Sequence, residues 1–251
     1  MKNFPLKIKS KKKISEKTFL IGFDISDAGF SAKAGQFVNI KINKTNYPLL
    51  RRPFSISNIE EDELFILFDV RGEGTALLSE KSTGDEIDLL GPLGNGFMID
   101  DEFDAAVFLA GGIGSAPFPF LGNELKKKEI IAFAGARSKK DLITEGLINP
   151  QISTDDGSFG FKGNVVEHFI SEFDGLRKKN IKIFACGPTP MLKSVRRFAV
   201  ENNLKCDLSL ESRMACGFGL CQGCPVEKAD GSGYLLVCKD GPVFGAKEIK
   251  L

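Results

Sequence analysis

Cys216, Cys221, Cys224 and Cys238 stand close together near the end of a 251-residue chain that holds six cysteines in all. They occur in ESRMACGFGLCQGC and LVCKDGPVF, with the spacing C-x4-C-x2-C-x13-C. Thiolates are soft ligands, and C-x4-C-x2-C followed by a more distant cysteine is a spacing that holds a [2Fe–2S] cluster. Three ligands on one tight loop can wrap a cluster only if the backbone turns sharply. Gly217, Gly219 and Gly223 permit such turns and leave N–H groups free for the sulfurs. Structural zinc more often uses two short cysteine pairs set well apart, and disulfides require an oxidising compartment. Both remain as alternatives from the spacing alone.

Four other stretches have residue types suited to binding a nucleotide. In RRPFSI (Arg51–Ile56) an arginine fork suits a pyrophosphate, Phe54 can stack on a flat ring, and the Ser55 hydroxyl can bond a ring nitrogen. In FDVRGEGTALL, Gly72 and Gly74 precede Thr75 and a helix start, where free N–H groups attract phosphate. An ordinary N-cap by Thr75 explains the same residues. AGGIGSAPF (Ala110–Phe118) follows an apolar strand and precedes a helix, the setting of a dinucleotide phosphate loop, although it lacks the GxGxxG spacing. FACGPTPML ends a second apolar strand in Cys186-Gly187-Pro188, at the sheet edge where ligands of open α/β sheets bind. A buried structural cysteine is the alternative there, and Cys206 is read as a plain core cysteine. The single histidine, His168, lies in NVVEHFISEF with helical spacing and reads as a surface or half-buried helix residue rather than half of a catalytic dyad.

These motifs need a scaffold. Residues 1–99 contain TFLIGFDI, QFVNIKI, FSISNI, LFILFDV and DEIDLLG, short strands separated by turn residues, and predict a small antiparallel barrel that GPLGNGF closes with a structural turn. Residues 100–205 alternate continuous apolar strands (AAVFLA, IIAFAGA, IKIFACG) with helical segments (VVEHFISEF, MLKSVRRFAVENN), which predicts a parallel sheet covered on both faces. Residues 206–251 show no clear period and carry the four clustered cysteines. The expected architecture is an α+β multidomain chain: barrel, α/β nucleotide domain, C-terminal metal-binding segment.

Composition narrows the function classes. Lys and Arg total 34 against 33 Asp and Glu, a formal net charge of +1, so there is no electrostatic case for nucleic acid or a membrane surface. The basic run KIKSKKK (Lys7–Lys13) reads as a solvated strand edge or turn. No apolar run is long enough to span a bilayer, and the N-terminus lacks a signal-peptide core, so a cytoplasmic location is expected.

Taken in order, the motifs resemble the ferredoxin–NADP reductase superfamily, and within it the electron-transfer subunits of B-type (NAD-dependent) dihydroorotate dehydrogenase, over essentially the whole chain. The pair RMACGFGLCQGC and VCKDGPVF is the most specific part. The resemblance implies that Arg52, Pro53, Phe54 and Ser55 bind FAD, with Gly74 and Thr75 at its phosphates. The strand Leu67, Phe68, Asp69 would run beside the flavin. Phe68-Asp69 stands where the family often has Tyr-Arg, so the Asp69 side chain is expected to point away. Gly111, Gly112 and Gly114 match the nicotinamide-nucleotide phosphate loop, and Cys186, Gly187 and Pro188 the nicotinamide side. The four clustered cysteines match the cluster ligands. The implied activity is a relay among NAD(H), FAD, the [2Fe–2S] cluster and a flavin (FMN) in a dihydroorotate dehydrogenase catalytic chain, within a heterotetramer serving pyrimidine synthesis. No acid–base residue is required, because cofactors carry the chemistry. Arg137 and Ser138, with Lys139 and Lys140, are expected beside the adenosine ribose, where their charge would accept a 2′-phosphate. Asp155 and Asp156 oppose that phosphate if they line the same site, and the resemblance favours NAD. A related reductase subunit for a hydrogenase- or glutamate synthase-type partner, and a zinc-stapled nucleotide-binding sensor, are the rival readings.

Overall fold

A computed structural model describes residues 1–45 and 47–251. Its first unit is a closed barrel of β1 (Lys2–Lys13), β2 (Thr18–Asp24), β3 (Phe37–Lys41), β4 (Arg52–Glu60), β5 (Glu63–Asp69) and β6 (Glu86–Leu93), with one helix, α1 (Glu73–Glu80), between β5 and β6. Every pairing is antiparallel, in the spatial order β1-β2-β5-β4-β3-β6 with β6 returning to β1. Alternation explains β1: Phe4, Leu6 and Ile8 face the core while the lysines between them face out. The basic run is therefore the solvated face of a long strand.

The second unit is a seven-stranded sheet. Its elements are β7 (Ala105–Gly111), α2 (Phe118–Glu124), β8 (Glu129–Ala136), β9 (Gln151–Thr154), β10 (Phe161–Lys162), α3 (Val165–Leu176), β11 (Ile181–Cys186), α4 (Thr189–Glu201) and β12 (Lys205–Ser209). The tail adds a small hairpin, β13 (Pro225–Glu227) with β14 (Tyr234–Leu236), and β15 (Val243–Gly245). The sheet order is β10-β9-β8-β7-β11-β12-β15, parallel except that β15 runs antiparallel to β12. All residues of β7 and β11 are buried, as expected of strands covered on both faces. The sheet does not stop at residue 205: β12 crosses that position, and β15 returns from the far side of the cysteine loop.

Helix α3 shows how local sequence sets a boundary. Asn164 caps it, its Oδ1 accepting from the N–H groups of Val166 and Glu167 while Glu167 reaches back to the Asn164 N–H. His168 on this helix is buried and stacks on Phe161 at 4.6 Å, which corrects the reading of a surface or half-buried residue. Lys182, fully buried on β11, ties the linker from barrel to sheet. Its Nζ lies 2.6 Å from Asp101, 3.2 Å from Asp207 and 2.5 Å from the Met98 carbonyl. Burial pushes the Asp207 carboxyl up to about 6, against the opposing pull of Lys182.

Candidate functional site

Two adjoining cavities open where barrel, sheet and tail meet. The smaller, of about 240 Å³, is walled by Pro53, Phe54 and Ser55 of β4, by Leu67, Phe68 and Asp69 of β5, by Thr75, by Cys186, and by Ser209–Ser212, Met214 and Pro242 from the tail side. The larger, of about 830 Å³, lies over the carboxyl ends of the parallel strands. Its walls include Gly111 and Gly112, Arg137, Asp155, Pro188 and Met191. Asp69, Arg71 and Ile113 line both cavities, so the two share a wall.

The barrel wall is shaped by aromatic packing: Phe68 lies edge-on to Phe54 at 5.5 Å and stacks with Phe19 at 6.0 Å. This leaves a narrow, largely apolar slot with the Ser55 and Thr75 hydroxyls and the Cys186 thiol at its edges. A flat ring system fits such a slot. Asp69 lines both cavities. Its carboxylate accepts from the buried Thr18 hydroxyl at 2.8 Å and faces Arg71 at 3.7 Å, which offsets the cost of burying the acid. The pairing of Thr18 with Asp69 across β2 and β5 sets the first of these contacts.

The two arginines of RRPFSI separate. Arg51 is structural: it pairs with Asp88 at 2.7 Å and donates to the Asp88 carbonyl at 2.8 Å. Arg52 lies against the start of α1, where a Cβ on Gly74 would sit 2.7 Å from its Nε. The N-cap of α1 is Gly72, which corrects the reading of Thr75 as the cap: Thr75 lies inside the first turn, and its hydroxyl accepts from the N–H groups of Arg71 and Gly72. What remains for an anion is the helix N-terminus with a guanidinium packed on it, a fit to phosphate.

On the sheet side, the loops after β7 and β11 touch. A Cβ on Gly114 would lie 2.2 Å from the Cys186 carbonyl oxygen and 2.7 Å from the Gly187 nitrogen. Gly114 and Gly187 therefore bring two loops together rather than forming a wall, and neither they nor Arg52, Gly74 and Ser138 line either of these two cavities. Ser138 instead donates to Asp141 at 2.8 Å. Arg137 and Asp155 do share the larger cavity. Cys186 is fully desolvated; burial first, then the charge of Glu211, push its thiol up to about 12, partly offset by the Ser209 hydroxyl. It is a neutral thiol, not a nucleophile. Residues that the motifs alone did not single out are Lys17, Arg71, Asn164, Met191 and Met214. Arg71, Asn164, Met191 and Met214 sat inside quoted stretches without being assigned a role, whereas Lys17 reaches the larger cavity through the pairing of β2 with β5.

The four clustered cysteines share one loop and the turn that follows it, but only Cys224 and Cys238 are in sulfur contact, and among the described residues no three of them are close enough together to hold a metal ion. Cys224 and Cys238 are buried with sulfurs 3.2 Å apart. Backbone donors point at sulfur: Gly219 N–H to Cys238 at 3.1 Å, Cys221 N–H to Cys216 at 3.4 Å and Cys238 N–H to Cys224 at 3.4 Å. Burial raises the Cys216 thiol, but the N–H groups of Cys221, Phe218 and Leu220 outweigh it and bring it down to about 6. Burial and the neighbouring Cys224 thiol push Cys238 up to about 12. Thiols this close resist joint ionisation unless a cationic centre offsets their charge, and N–H donors aimed at sulfur are what thiolate ligands use. The donor set fits an iron–sulfur cluster.

Comparison with known proteins agrees with this geometry. Residues 211–250 match the iron–sulfur cluster binding domain of dihydroorotate dehydrogenase B, and residues 5–97 match the oxidoreductase FAD-binding domain. The dihydroorotate dehydrogenase B (NAD(+)) electron transfer subunit of Caldanaerobacter subterraneus subsp. tengcongensis is 36% identical over 250 residues, covering 97% of this chain and 96% of that one. The subunit of the same name from Bacillus pumilus is 42% identical over 236 residues, covering 87% and 86%. Among solved structures, that of the NADH-dependent reduced ferredoxin–NADP oxidoreductase, studied for flavin-based electron bifurcation, superimposes with a TM-score of 0.85 at 28% identity, covering 98% and 90%. A Neisseria gonorrhoeae ferredoxin NADP+ reductase shares the fold at a TM-score of 0.68 and 18% identity, covering 80% and 92%. No helix among the described residues is long and apolar enough to cross a membrane. With full-length relatives well above 30% identity and both cofactor-binding domains matched, the chain belongs to the family of dihydroorotate dehydrogenase B (NAD(+)) electron transfer subunits.

Proposed function

We propose that this chain carries electrons between NAD+ and an FMN-containing dihydroorotate dehydrogenase catalytic chain, with which it forms a heterotetramer in the cytoplasm. The observation that carries the reading is the wall shared by the two cavities, with the cysteine loop reaching the smaller one through Met214. When bound, FAD supplies hydride exchange with NAD(H) and single-electron exchange with a [2Fe–2S] cluster.

The chain's own residues then have distinct tasks. Pro53, Phe54 and Ser55 form one face of the ring slot and Leu67, Phe68 and Asp69 its floor. Arg52 and the α1 N-terminus around Gly74 and Thr75 hold the pyrophosphate. Gly111, Gly112 and Gly114 let the nicotinamide nucleotide approach the sheet, and Cys186, Gly187 and Pro188 place its ring across from the slot. The Cys186 thiol is neutral and small, so it excludes water without competing for the hydride. Arg137 and Ser138 frame the adenosine end, and Asp155 in the same cavity repels a 2′-phosphate, which favours NAD over NADP. Cys216, Cys221, Cys224 and Cys238 ligate the cluster. Residues 1–99, 100–205 and 206–251 serve as the flavin, nicotinamide and cluster units. The test is to mix the purified chain with a dihydroorotate dehydrogenase catalytic chain and follow NAD+ reduction by dihydroorotate. Reduction that requires both chains supports the reading; none, with both cofactors loaded, refutes it.

A further inference from the structure

Two asparagine side chains of the barrel reach across to the cysteine-bearing tail. Asn39, on β3 and 1% exposed, donates its Nδ2–H to the Cys216 carbonyl at 3.1 Å. Asn95, just past β6, donates its Nδ2–H to the Lys239 carbonyl at 3.3 Å and the Asp240 carbonyl at 2.8 Å, immediately after Cys238. Its backbone N–H also donates to the Gly241 carbonyl at 2.6 Å. One amide thus grips the first cysteine of the loop, and the other grips the residues beside the last.

The Asn39 contact is tightly built. A Cβ at Gly217 would stand 1.9 Å from Asn39 Nδ2, and Gly217 has φ +79°, so the loop backbone lies directly on the amide in a conformation that favours glycine. Asn39 Oδ1 is buried with no partner among the described residues. Burying a half-satisfied amide between the barrel and the tail is costly, and the bond to Cys216 is the side-chain contact that offsets it. Asn39 also lies opposite Pro53 in the β3–β4 ladder, so the strand that grips the cysteine loop is bonded to the strand that walls the ring slot.

We propose that Asn39 and Asn95 form a clamp that registers both ends of the cluster-binding segment against the flavin-binding barrel, as positioning residues for the cluster. The proposal rests on the reading given under Proposed function. The clamp acts through the backbone: it fixes the carbonyls of residues 216, 239 and 240, and with them the Sγ positions of Cys216 and Cys238. The cluster site is then set by this chain alone and does not wait for a partner to order it.

The experiment uses the full chain purified anaerobically with its cofactors. Asn39→Leu keeps the branched shape and heavy-atom count and removes the donor; Asn95→Ala acts at an exposed position where folding is not at stake. The readouts are iron release to a ferrous chelator, the EPR spectrum of the dithionite-reduced cluster, flavin content, and flavin reduction by NADH. Loss of a buried donor predicts iron release about tenfold faster in the double variant, with smaller increases in each single one. An altered EPR line shape is expected, with flavin content and its reduction by NADH as in the wild type. Iron release and EPR spectra identical to the wild type in Asn95→Ala and in the double variant overturn the clamp. So does parallel loss of flavin, which marks a general packing defect. If Asn39→Leu does not fold, Asn39→Ser and Asn95→Ala carry the same comparison. A wild-type chain that binds neither iron nor flavin overturns the underlying reading, and the clamp with it.

Discussion

Gly114→Ala isolates the close approach of the two sheet loops. The new Cβ would stand 2.2 Å from the Cys186 carbonyl oxygen and 2.5 Å from its carbon, both backbone atoms that no rotamer change can move. Contacts below 3.0 Å are essentially never adopted by a Cβ, so the loops must part by about 0.8 Å. Overpacking of this kind costs about 1–3 kcal/mol of stability. The larger effect is geometric. Cys186 lines the smaller cavity and Gly111, Gly112 and Pro188 line the larger one, so parting the loops moves the walls proposed to support the two rings relative to each other. A displacement approaching 1 Å at a reacting pair can cost about 100-fold in rate. Anaerobic stopped-flow mixing with NADH reads this as the rate of flavin bleaching. The expected result is a slowing of one to two orders of magnitude with flavin content unchanged. A variant that folds, retains FAD and bleaches at the wild-type rate refutes the loop-contact argument.

Further outcomes follow from other sites. Arg52→Ala removes the guanidinium packed on the α1 N-terminus and is expected to weaken FAD binding by roughly 10- to 100-fold, from the strength of charged hydrogen bonds, measured by flavin release on dilution. Gly175→Ala, in open space on α3, is expected to stabilise the fold by about 0.5–1 kcal/mol in denaturant titration. His168 is the chain's only histidine, and its pKa lies below the usual 6.5, chiefly because burial disfavours the imidazolium, with Glu172 opposing. The unfolded chain binds that proton more tightly, so the His168 contribution is fully present above pH 6.5 and is lost as pH falls below it. Replacing it by Phe, which keeps the stack on Phe161, is expected to flatten thermal stability between pH 7.5 and 5 relative to the wild type, after allowance for the opposite slope of Asp207.

The parts of the site most legible in the sequence are those carried by local spacing. The four cysteines and their glycines encode one loop plus a nearby strand end, and the apolar runs of β7, β8 and β11 announce a buried parallel sheet. β1 is partly hidden because its alternation ends at Ile8 while the strand continues through the all-polar run Lys9–Lys13. β9, β10, β12 and β15 are too short to show a period, and β15 has meaning only through its pairing with β12 across the cysteine loop. The same limit applies to roles. Arg51 and Arg52 are adjacent in sequence, yet Asp88 from a non-consecutive strand claims the first and the start of α1 the second. The Asp69 carboxylate is held by the Thr18 hydroxyl, a contact between residues far apart in the chain.

The most direct test of the account compares wild type with Cys221→Ser in anaerobic stopped-flow mixing with NADH, recording flavin and cluster absorbance together. A serial path from nicotinamide to flavin to cluster predicts flavin bleaching at the same rate in both proteins, with a following cluster phase in the wild type only. Cluster bleaching ahead of the flavin, or a Cys221→Ser variant that retains its flavin but no longer accepts electrons from NADH, would contradict it.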